Sequence, residues 1–273
     1  MIDLADKTAF ITGGASGIGL GMATAFAQSD MNVVIADISA ERLSHAEQQL
    51  RKITDHVLAL EVDATDRASL ETAAARTEAT FGALHVLCNN AGIGGGGLVL
   101  ETSEERWRHT HEVNFWGPLN GIQTFLPSML DHGEEGHVVN TSSFSGIQGH
   151  HHQSGYGTSK FALVGLSEFL RNDLAETNIS VSVLCPHVVD TPIFYPDLAP
   201  DDTEAIRAKK ESLPFLATMA VSPETVGQQV LQGIQNDELY IFCDGVQSRA
   251  MLETRCENML AAMDRQFPNR EAQ

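Results

Sequence analysis

The stretch KTAFITGGASGIG, residues 7–19, decides the fold of this chain. Its apolar first half is typical of a buried strand, and residues 20–28 after it have the composition of a helix. The glycines between them let a backbone approach a pyrophosphate, and the free amides and positive dipole end of a helix N-terminus favour an anion. The stretch therefore predicts a strand, loop and helix that bind a dinucleotide. An ordinary tight turn is the alternative.

A second apolar run, residues 31–36, ends at Asp37, about 20 residues after the glycine loop. An acidic side chain at that place accepts hydrogen bonds from the adenosine ribose and repels a 2′-phosphate. Its neighbours Ala15, Ser16 and Ile38 supply no positive charge for such a phosphate. The sequence thus predicts NAD rather than NADP, and a plain aspartate at a strand end is the alternative.

Strands and helices alternate along the rest of the chain. Further strands are predicted at residues 56–62, 84–88, 137–141, 179–184 and 238–242. Helices are predicted at residues 39–52, 66–81, 103–129, 155–176, 222–234 and 246–265, with a short one near 202–212. This order predicts an α/β fold, a doubly wound parallel sheet of seven strands with helices on both faces, in one domain over residues 1–273.

Two local features qualify this outline. Gly117 and Pro118 interrupt the long helix at residues 103–129, so a kink or altered hydrogen bonding is expected near Asn114. The run of four glycines at residues 94–97 is interpreted as a flexible linker. Polar or small residues follow the predicted strands, and in such sheets ligands bind beyond the carboxyl ends of the strands. We therefore expect Asp37, Asp63, Asn90, Ser143 and Pro186 to converge at one edge with the glycine loop.

The sequence GYGTSK, residues 155–160, places Tyr156 and Lys160 one helical turn apart on the same face. A free tyrosine has a pKa of about 10. A lysine charge at about 4 Å, with an effective dielectric constant of about 20, supplies about 4 kcal/mol, or roughly 3 pKa units. The pair therefore predicts a phenol that exchanges protons near neutral pH, and the start of a surface helix is the alternative.

The formal net charge of −19 argues against nucleic acid and anionic membrane surfaces as partners. The first residues do not resemble a secretory signal, and no apolar window approaches the length of a membrane span, so we expect a cytoplasmic protein. The cysteines, at positions 88, 185, 243 and 256, lack metal-binding spacing and are expected to be reduced thiols. The adjacent histidines His150, His151 and His152 cannot easily all face one ion, so no metal site is predicted. They are expected at the substrate entrance or at a subunit contact.

Taken together, these motifs resemble those of the short-chain dehydrogenase/reductase family, in its compact single-domain branch with a Rossmann-like fold. The matching pieces lie in family order over residues 7 to about 191 and are Thr12-Gly13-(x3)-Gly17-Ile18-Gly19, Asp63, Asn89-Asn90-Ala91-Gly92, Asn114, Ser143, Tyr156-(x3)-Lys160 and Pro186-(x4)-Thr191. The remainder matches only in its helix–strand–helix outline.

The resemblance implies a role for each member of a catalytic set. Tyr156 would be the general acid and base toward the substrate oxygen, and Lys160 would lower its pKa and bind the nicotinamide ribose. Ser143 would hold the substrate oxygen. Asn114 would anchor a water that leads protons from Lys160 to solvent.

It also implies a cofactor site. The pyrophosphate would lie on Gly13, Ser16, Gly17, Ile18 and Gly19. Asp37 would bind the adenosine ribose and Asp63 the adenine, while Asn90 would contact the cofactor through its main chain and Thr191 would contact the nicotinamide carboxamide. Ala64 and Val189 complete the predicted cofactor set.

The substrate is assigned to the loops around these residues, above all to residues 187–221, the lid segment. His187 departs from the family, which usually has glycine there, so it either narrows or polarises the substrate site or faces solvent. With Ser143 and Tyr156, the residues predicted to contact substrate are His152, His187 and Phe194. The apolar loops predict a bulky, uncharged, aromatic or alicyclic substrate.

The sequence thus predicts an NAD-dependent oxidoreductase for secondary alcohols or ketones. The resemblance implies a homodimer or homotetramer that assembles through the helices at residues 103–129 and 155–176. A catalytically silent NAD-binding sensor or scaffold is the first alternative. An epimerase or dehydratase is the second, although those proteins are longer and carry a different glycine loop.

Overall fold

The computed structural model describes residues 3–199 and 201–268, so the predicted domain of residues 1–273 extends slightly beyond the described ranges. Seven strands are present among them: β1 (Thr8–Thr12), β2 (Asn32–Asp37), β3 (Val57–Glu61), β4 (Val86–Asn89), β5 (Gly136–Thr141), β6 (Ile179–Cys185) and β7 (Tyr240–Phe242). The helices are α1 (Gly17–Ala27), α2 (Ala40–Leu50), α3 (Arg67–Phe81), α4 (Glu104–His111), α5 (Gly117–Asp131), α6 (Ser154–Asp173), α7 (Thr203–Glu211), α8 (Pro214–Met219), α9 (Pro223–Gln235) and α10 (Gln247–Gln266).

All seven strands are parallel, in the order β3-β2-β1-β4-β5-β6-β7. The order reverses between β1 and β4, and the carboxyl ends of both strands open into this switch point. Neighbouring residues of β1 point to opposite faces of the sheet. Ile11 packs with Phe26 of α1 and Val230 of α9, whereas Phe10 packs with Phe125 of α5. The predicted doubly wound sheet with helices on both faces is confirmed.

Several helices begin at the residues that the sequence indicated. Ser39, Asp66 and Ser222 each accept a hydrogen bond from an amide in the first turn of α2, α3 and α9. Such caps satisfy donors that have no partner inside the helix and stabilise it by about 1 kcal/mol each. The predicted boundaries therefore follow from local chemistry.

The predicted helix at residues 103–129 is divided in the structure. A π-helical turn, Glu112–Trp116, separates α4 from α5, and the amide of Gly117 bonds the carbonyl of Glu112. Altered hydrogen bonding near Asn114 is thus confirmed, and it takes the form of a widened turn. Pro118, in the first turn of α5, has no N–H to donate back to the π turn, which is consistent with the altered hydrogen bonding there.

The lid segment contains more regular secondary structure than we expected from its many prolines. It contains a 3₁₀ turn, Pro192–Phe194, and helix α7 close to the predicted position. Helix α8 was not predicted, since its six residues are too few to show a periodicity. Within residues 3–199 and 201–268, no helix has the length and apolarity that a membrane span requires.

Candidate active site

A cavity of about 910 Å³ lies at the carboxyl ends of the strands. It starts at the glycine loop after β1 and extends to the first turn of the lid segment. The predicted site residues that line it are Gly13, Ser16, Gly17, Ile18, Asp37, Asp63, Ala64, Asn90, Ser143, Tyr156, Lys160, His187, Val189, Thr191 and Phe194. Residues far apart in the chain thus share one cleft at the predicted edge.

Three predicted residues do not line this cavity. A side chain on Gly19 would overlap the carbonyl oxygen of Gly13, so Gly19 lets α1 approach the loop instead of facing a ligand. Asn114 is fully buried and does not line the cavity. His152 is exposed, its ring contacts His151, and its carbonyl accepts a bond from the amide of Gly97 at 2.6 Å. The structure therefore does not bring His152 to the cavity, because its positive φ of 60° turns the chain just before α6.

Helix α6 begins against the glycine run at residues 94–97. The amide of Tyr156 donates to the carbonyl of Gly95 at 3.1 Å, and the hydroxyl of Ser154 donates to the carbonyl of Gly97 at 2.7 Å. The amides of a first helical turn have no partner inside the helix, and here the glycine run supplies acceptors. These residues therefore fix the start of α6, a role that the interpretation as a flexible linker did not include.

Tyr156, Ser143 and Lys160 meet at the inner end of the cavity. The Ser143 hydroxyl lies near enough to the Tyr156 phenol to lower its pKa. The Lys160 ammonium lies 5.7 Å from the centre of the Tyr156 ring and donates to the carbonyl of Thr141 at 2.9 Å. Ser143 and Lys160 are both buried. Acid–base chemistry at this point is therefore shielded from bulk water.

Burial decides the electrostatics of this group. It raises the pKa of Tyr156, and the bond from Ser143 opposes the rise. Burial also lowers the pKa of Lys160 to about 8. The prediction that Lys160 brings the tyrosine pKa near neutrality is wrong for this structure. The physical reason is that desolvation of the phenol outweighs an ammonium that is turned toward Thr141.

Asn114 is held in the π turn by three hydrogen bonds. Its Oδ1 accepts from the amide of Ile93 at 2.9 Å, and its Nδ2 donates to the Ile93 carbonyl and the Ser159 hydroxyl, both at 3.1 Å. A Cβ atom on Gly92 would lie 3.3 Å from both Asn114 Oδ1 and Lys160 Nζ. Residue 92 must therefore be small for Asn114 and Lys160 to share this corner.

Asn90 fixes the glycine loop to the sheet. Its Nδ2 donates to the carbonyls of Thr12 at 3.1 Å and Gly13 at 3.2 Å, and its Oδ1 accepts from the Thr141 hydroxyl at 3.2 Å. The Thr12 hydroxyl in turn accepts from the amides of Asn90 and Ala91. The Asn90 side chain therefore braces the loop, in addition to the main-chain role that was predicted.

Asp37 and Asp63 are anchored by short turns at the outer end of the cavity. Asp37 Oδ1 accepts from the amide of Ser39 at 3.0 Å, and Asp63 Oδ1 accepts from the amide and hydroxyl of Thr65 at 2.8 and 2.7 Å. Such turns hold a short carboxylate side chain in one orientation. Both carboxylates are thus fixed at the outer end of the cavity.

Sequence reasoning missed several lining residues. Arg42, in the first turn of α2, lines the cavity and donates to the carbonyl of Pro196 in the lid segment at 3.1 Å. Arg106, His109 and Val113 line it from α4 and the π turn. Their spacing of three and four residues marks one helical face, which is the signal that could have found them. In the part of the chain that the structure describes, no group of three or more histidine, cysteine or carboxylate side chains could hold a metal ion.

A model of the short chain dehydrogenase family matches residues 7–200. The chain belongs to the short-chain dehydrogenase/reductase family. It is 34% identical over 251 residues to a C alpha-dehydrogenase of Sphingobium sp. strain SYK-6, covering 89% of this chain and 82% of the relative. A 1-deoxy-11-beta-hydroxypentalenate dehydrogenase of Streptomyces exfoliatus is 33% identical over 241 residues, with 88% and 83% covered.

Solved structures agree with this assignment. A short-chain dehydrogenase/reductase from Burkholderia phymatum in complex with NAD superposes with a TM-score of 0.86 at 28% identity, over 96% of this chain and 97% of that one. An actinorhodin polyketide ketoreductase with NADPH superposes with a TM-score of 0.76 at 28% identity, over 89% and 97%. The chain is therefore an oxidoreductase of this family, with the nucleotide-binding sheet that its members share.

Proposed function

We propose that this chain is an NAD-dependent alcohol dehydrogenase or ketone reductase with Tyr156 as its general acid and base. The observation that carries the proposal is the meeting of Tyr156 with the buried Ser143 and Lys160 at one end of a cavity whose other end is the glycine loop. NAD would supply the chemistry that a protein side chain lacks, which is hydride transfer.

The residues present fit such a cofactor. Gly13, Ser16, Gly17 and Ile18 line the cavity at the start of α1, where a pyrophosphate would lie. A Cβ on Gly13 would come within 2.9 Å of the backbone of Ala91, so this glycine lets the loop pack against the chain after β4. The free amides at the start of α1 would hold the pyrophosphate, and Asp37 would accept the ribose hydroxyls. Asp37 and the NAD-bound relative support NAD as the cofactor. Arg42 also lines the cavity and is the positive charge that would favour NADP, because it could pair with a 2′-phosphate.

During reduction the Tyr156 hydroxyl would donate its proton to the substrate oxygen, and during oxidation the phenolate would accept the proton of the alcohol. The Ser143 hydroxyl would donate a hydrogen bond to the same oxygen and orient it. The Lys160 ammonium would favour the phenolate through its positive charge. Because these groups are buried, the reacting oxygen would be screened from competing water.

The substrate would be a bulky secondary alcohol or ketone. Ile93, Ile193 and Phe194 line the cavity with apolar surface beside the polar group, which suits an aromatic or alicyclic ring. The pentalenate dehydrogenase relative is consistent with this class. Assembly as a homodimer or homotetramer and location in the cytoplasm stay predictions.

Cofactor absorbance with a panel of aryl and alicyclic secondary alcohols and ketones tests the proposal. NAD should support a higher kcat/KM than NADP. Tyr156→Phe should lower kcat by about 10²–10⁴-fold, since it removes the proton donor and little volume. Tyr240→Phe is the matched control, because this tyrosine lies in β7 and bonds Glu168.

Unchanged activity of Tyr156→Phe would overturn the mechanism. No turnover across the panel, with cofactor binding retained, would favour an NAD-binding sensor or scaffold. A higher kcat/KM with NADP would overturn the assignment made from Asp37.

A further inference from the structure

We propose that His187 and Asp244 form a subsite that accepts a hydrogen bond from a second hydroxyl group of the substrate, next to the reacting carbon. The inference rests on the proposed function and narrows it to diol-like alcohols and the corresponding hydroxyketones. It begins with the one departure from the family pattern that the sequence showed, a histidine where glycine is usual.

His187 lies beside the group that would hold the reacting oxygen. It lines the cavity and follows Pro186, whose carbonyl oxygen is 3.5 Å from Ser143 Oγ. Its ring centre is 5.6 Å from that of Phe144, the residue after Ser143. His187 is therefore placed by the residues next to Ser143, through Pro186 in the main chain and through the ring of Phe144. The His187 side chain is only 20% exposed.

Asp244 approaches one ring nitrogen of His187. Its Oδ2 lies 3.6 Å from His187 Nδ1, a distance for electrostatic attraction and too long for a good hydrogen bond. The carboxylate is itself fixed, because Oδ1 accepts from the amide of Ser248 at 3.0 Å and Oδ2 from its hydroxyl at 2.7 Å. Ser248 is the buried residue of α10. The start of α10 thus holds a negative charge beside Nδ1.

That charge favours the tautomer with its proton on Nδ1 and leaves Nε2 as a hydrogen-bond acceptor. The ring also stacks on His150, with the ring centres 6.4 Å apart and an interplanar angle of 19°. Burial lowers the pKa of His150. Packing against Phe144 and His150 therefore positions the His187 ring at the cavity, and Nε2 is the ring nitrogen that Asp244 does not approach.

The chemistry selects the kind of group that would bind. An anionic group would be repelled by Asp244, and an ether oxygen has no proton to donate to Nε2. A neutral hydroxyl satisfies both conditions. His187 lies next to Ser143, because Pro186 precedes it in the chain and its ring contacts Phe144. The hydroxyl that it binds would therefore be on a carbon close to the reacting carbon, whose oxygen Ser143 and Tyr156 would bind.

Three alcohols with the same ring test the subsite: 1-phenylethane-1,2-diol, 2-methoxy-1-phenylethanol and 1-phenylethanol. We expect kcat/KM to be about tenfold higher for the diol than for either analogue, the size of one hydrogen bond. His187→Gly, which restores the usual family residue, should abolish the preference and act mainly on KM for the diol. Asp244→Asn, which keeps an oxygen for Ser248, should reduce it. His151→Gly, an exposed neighbour of His150, should leave it unchanged.

An equal loss for all three alcohols in His187→Gly would mean a structural role and overturn the proposal. The proposal would also be overturned if His187→Gly kept the preference for the diol, or if the methoxy analogue had the same kcat/KM as the diol. Tyr156→Phe separates this result from the proposed function, because it tests proton transfer and not the subsite. If none of the alcohols turns over, calorimetric dissociation constants for the protein saturated with NAD make the same comparison, and equal affinities overturn the subsite.

Discussion

The two ends of the cavity are built differently. The cofactor end rests on α1, which buries seven of its 11 residues, and on the side chain of Asn90 that ties three strands together. The substrate end is closed by the lid segment, in which α7 buries none of its nine described residues. Local stability follows buried contacts, so the first end is expected to be rigid and the second to open easily.

This difference separates two tasks within one cavity. Proton transfer needs atoms that are held closely in place, and the buried side chains of Ser143 and Lys160 beside Tyr156 suit that need. Substrate entry needs a segment that opens, and exposed helices such as α7 suit it. Changes at the cofactor end should therefore alter stability and cofactor binding, whereas changes at the substrate end should alter KM with little effect on stability.

The largest effect is expected from Gly19→Ala. The new methyl group would overlap the carbonyl oxygen of Gly13, so either α1 or the glycine loop must move. We expect a loss of about 3 kcal/mol in the free energy of unfolding, as for severe overpacking, together with much weaker NAD binding. Urea denaturation and calorimetry with NAD measure the two effects.

Gly165→Ala is the matched control for this change. It also replaces a helical glycine, in α6, but a Cβ there meets no atom within 4 Å. Alanine should stabilise that helix by about 0.5–1 kcal/mol. If both variants behaved alike, the close approach of α1 to the loop would not be what makes the cofactor end rigid.

A pH-dependent effect of intermediate size is expected from Lys160→Met. Burial lowers the pKa of Lys160 to about 8, whereas an unfolded lysine has a pKa of about 10.4. Between these values the folded protein binds fewer protons than the unfolded chain, so this lysine makes the free energy of unfolding rise with pH. Relative to the variant, the wild-type protein should gain about 1.5 kcal/mol between pH 8 and 9.5.

Urea denaturation at several pH values in that range measures this gain. Lys52→Met, which replaces an exposed lysine, should keep the wild-type slope. Parallel slopes for wild type and Lys160→Met would contradict the buried, proton-releasing Lys160.

The smallest effect is expected in the lid segment, from Lys210→Met. Lys210 Nζ lies 2.6 Å from Asp190 Oδ2, and Tyr195 donates to the other oxygen of Asp190 at 3.1 Å. The ion pair is partly exposed and worth at most about 1 kcal/mol. We expect a rise of about two- to fivefold in KM for the alcohol, which matches that energy, and an unchanged affinity for NAD.

Lys209→Met, at the exposed neighbouring position, is the control and should leave KM unchanged. Limited proteolysis should cut Lys210→Met faster within residues 187–221 than the wild-type protein. A loss of NAD affinity in Lys210→Met would show that the two ends are not separate.

Local sequence signals located most of the fold and much of the site. Caps such as Ser39 and Asp66 act within one helical turn, so the helix starts could be predicted. The glycine loop and the Tyr156–Lys160 pair are also local patterns. Arg42, the glycine run and Asp244 were missed or misinterpreted, because their partners Pro196, the first turn of α6 and His187 are distant in sequence.

The sequence by itself determined a seven-stranded parallel sheet, the edge at which the site lies and the kinds of side chain available there. These follow from hydrophobic periodicity and short-range hydrogen bonding. Only the tertiary structure decided the direction of the Tyr156 pKa, since burial of the phenol depends on every element around it. It alone also placed Asp244 beside His187, because no local pattern in the sequence indicates a contact between a strand end and the start of the last helix.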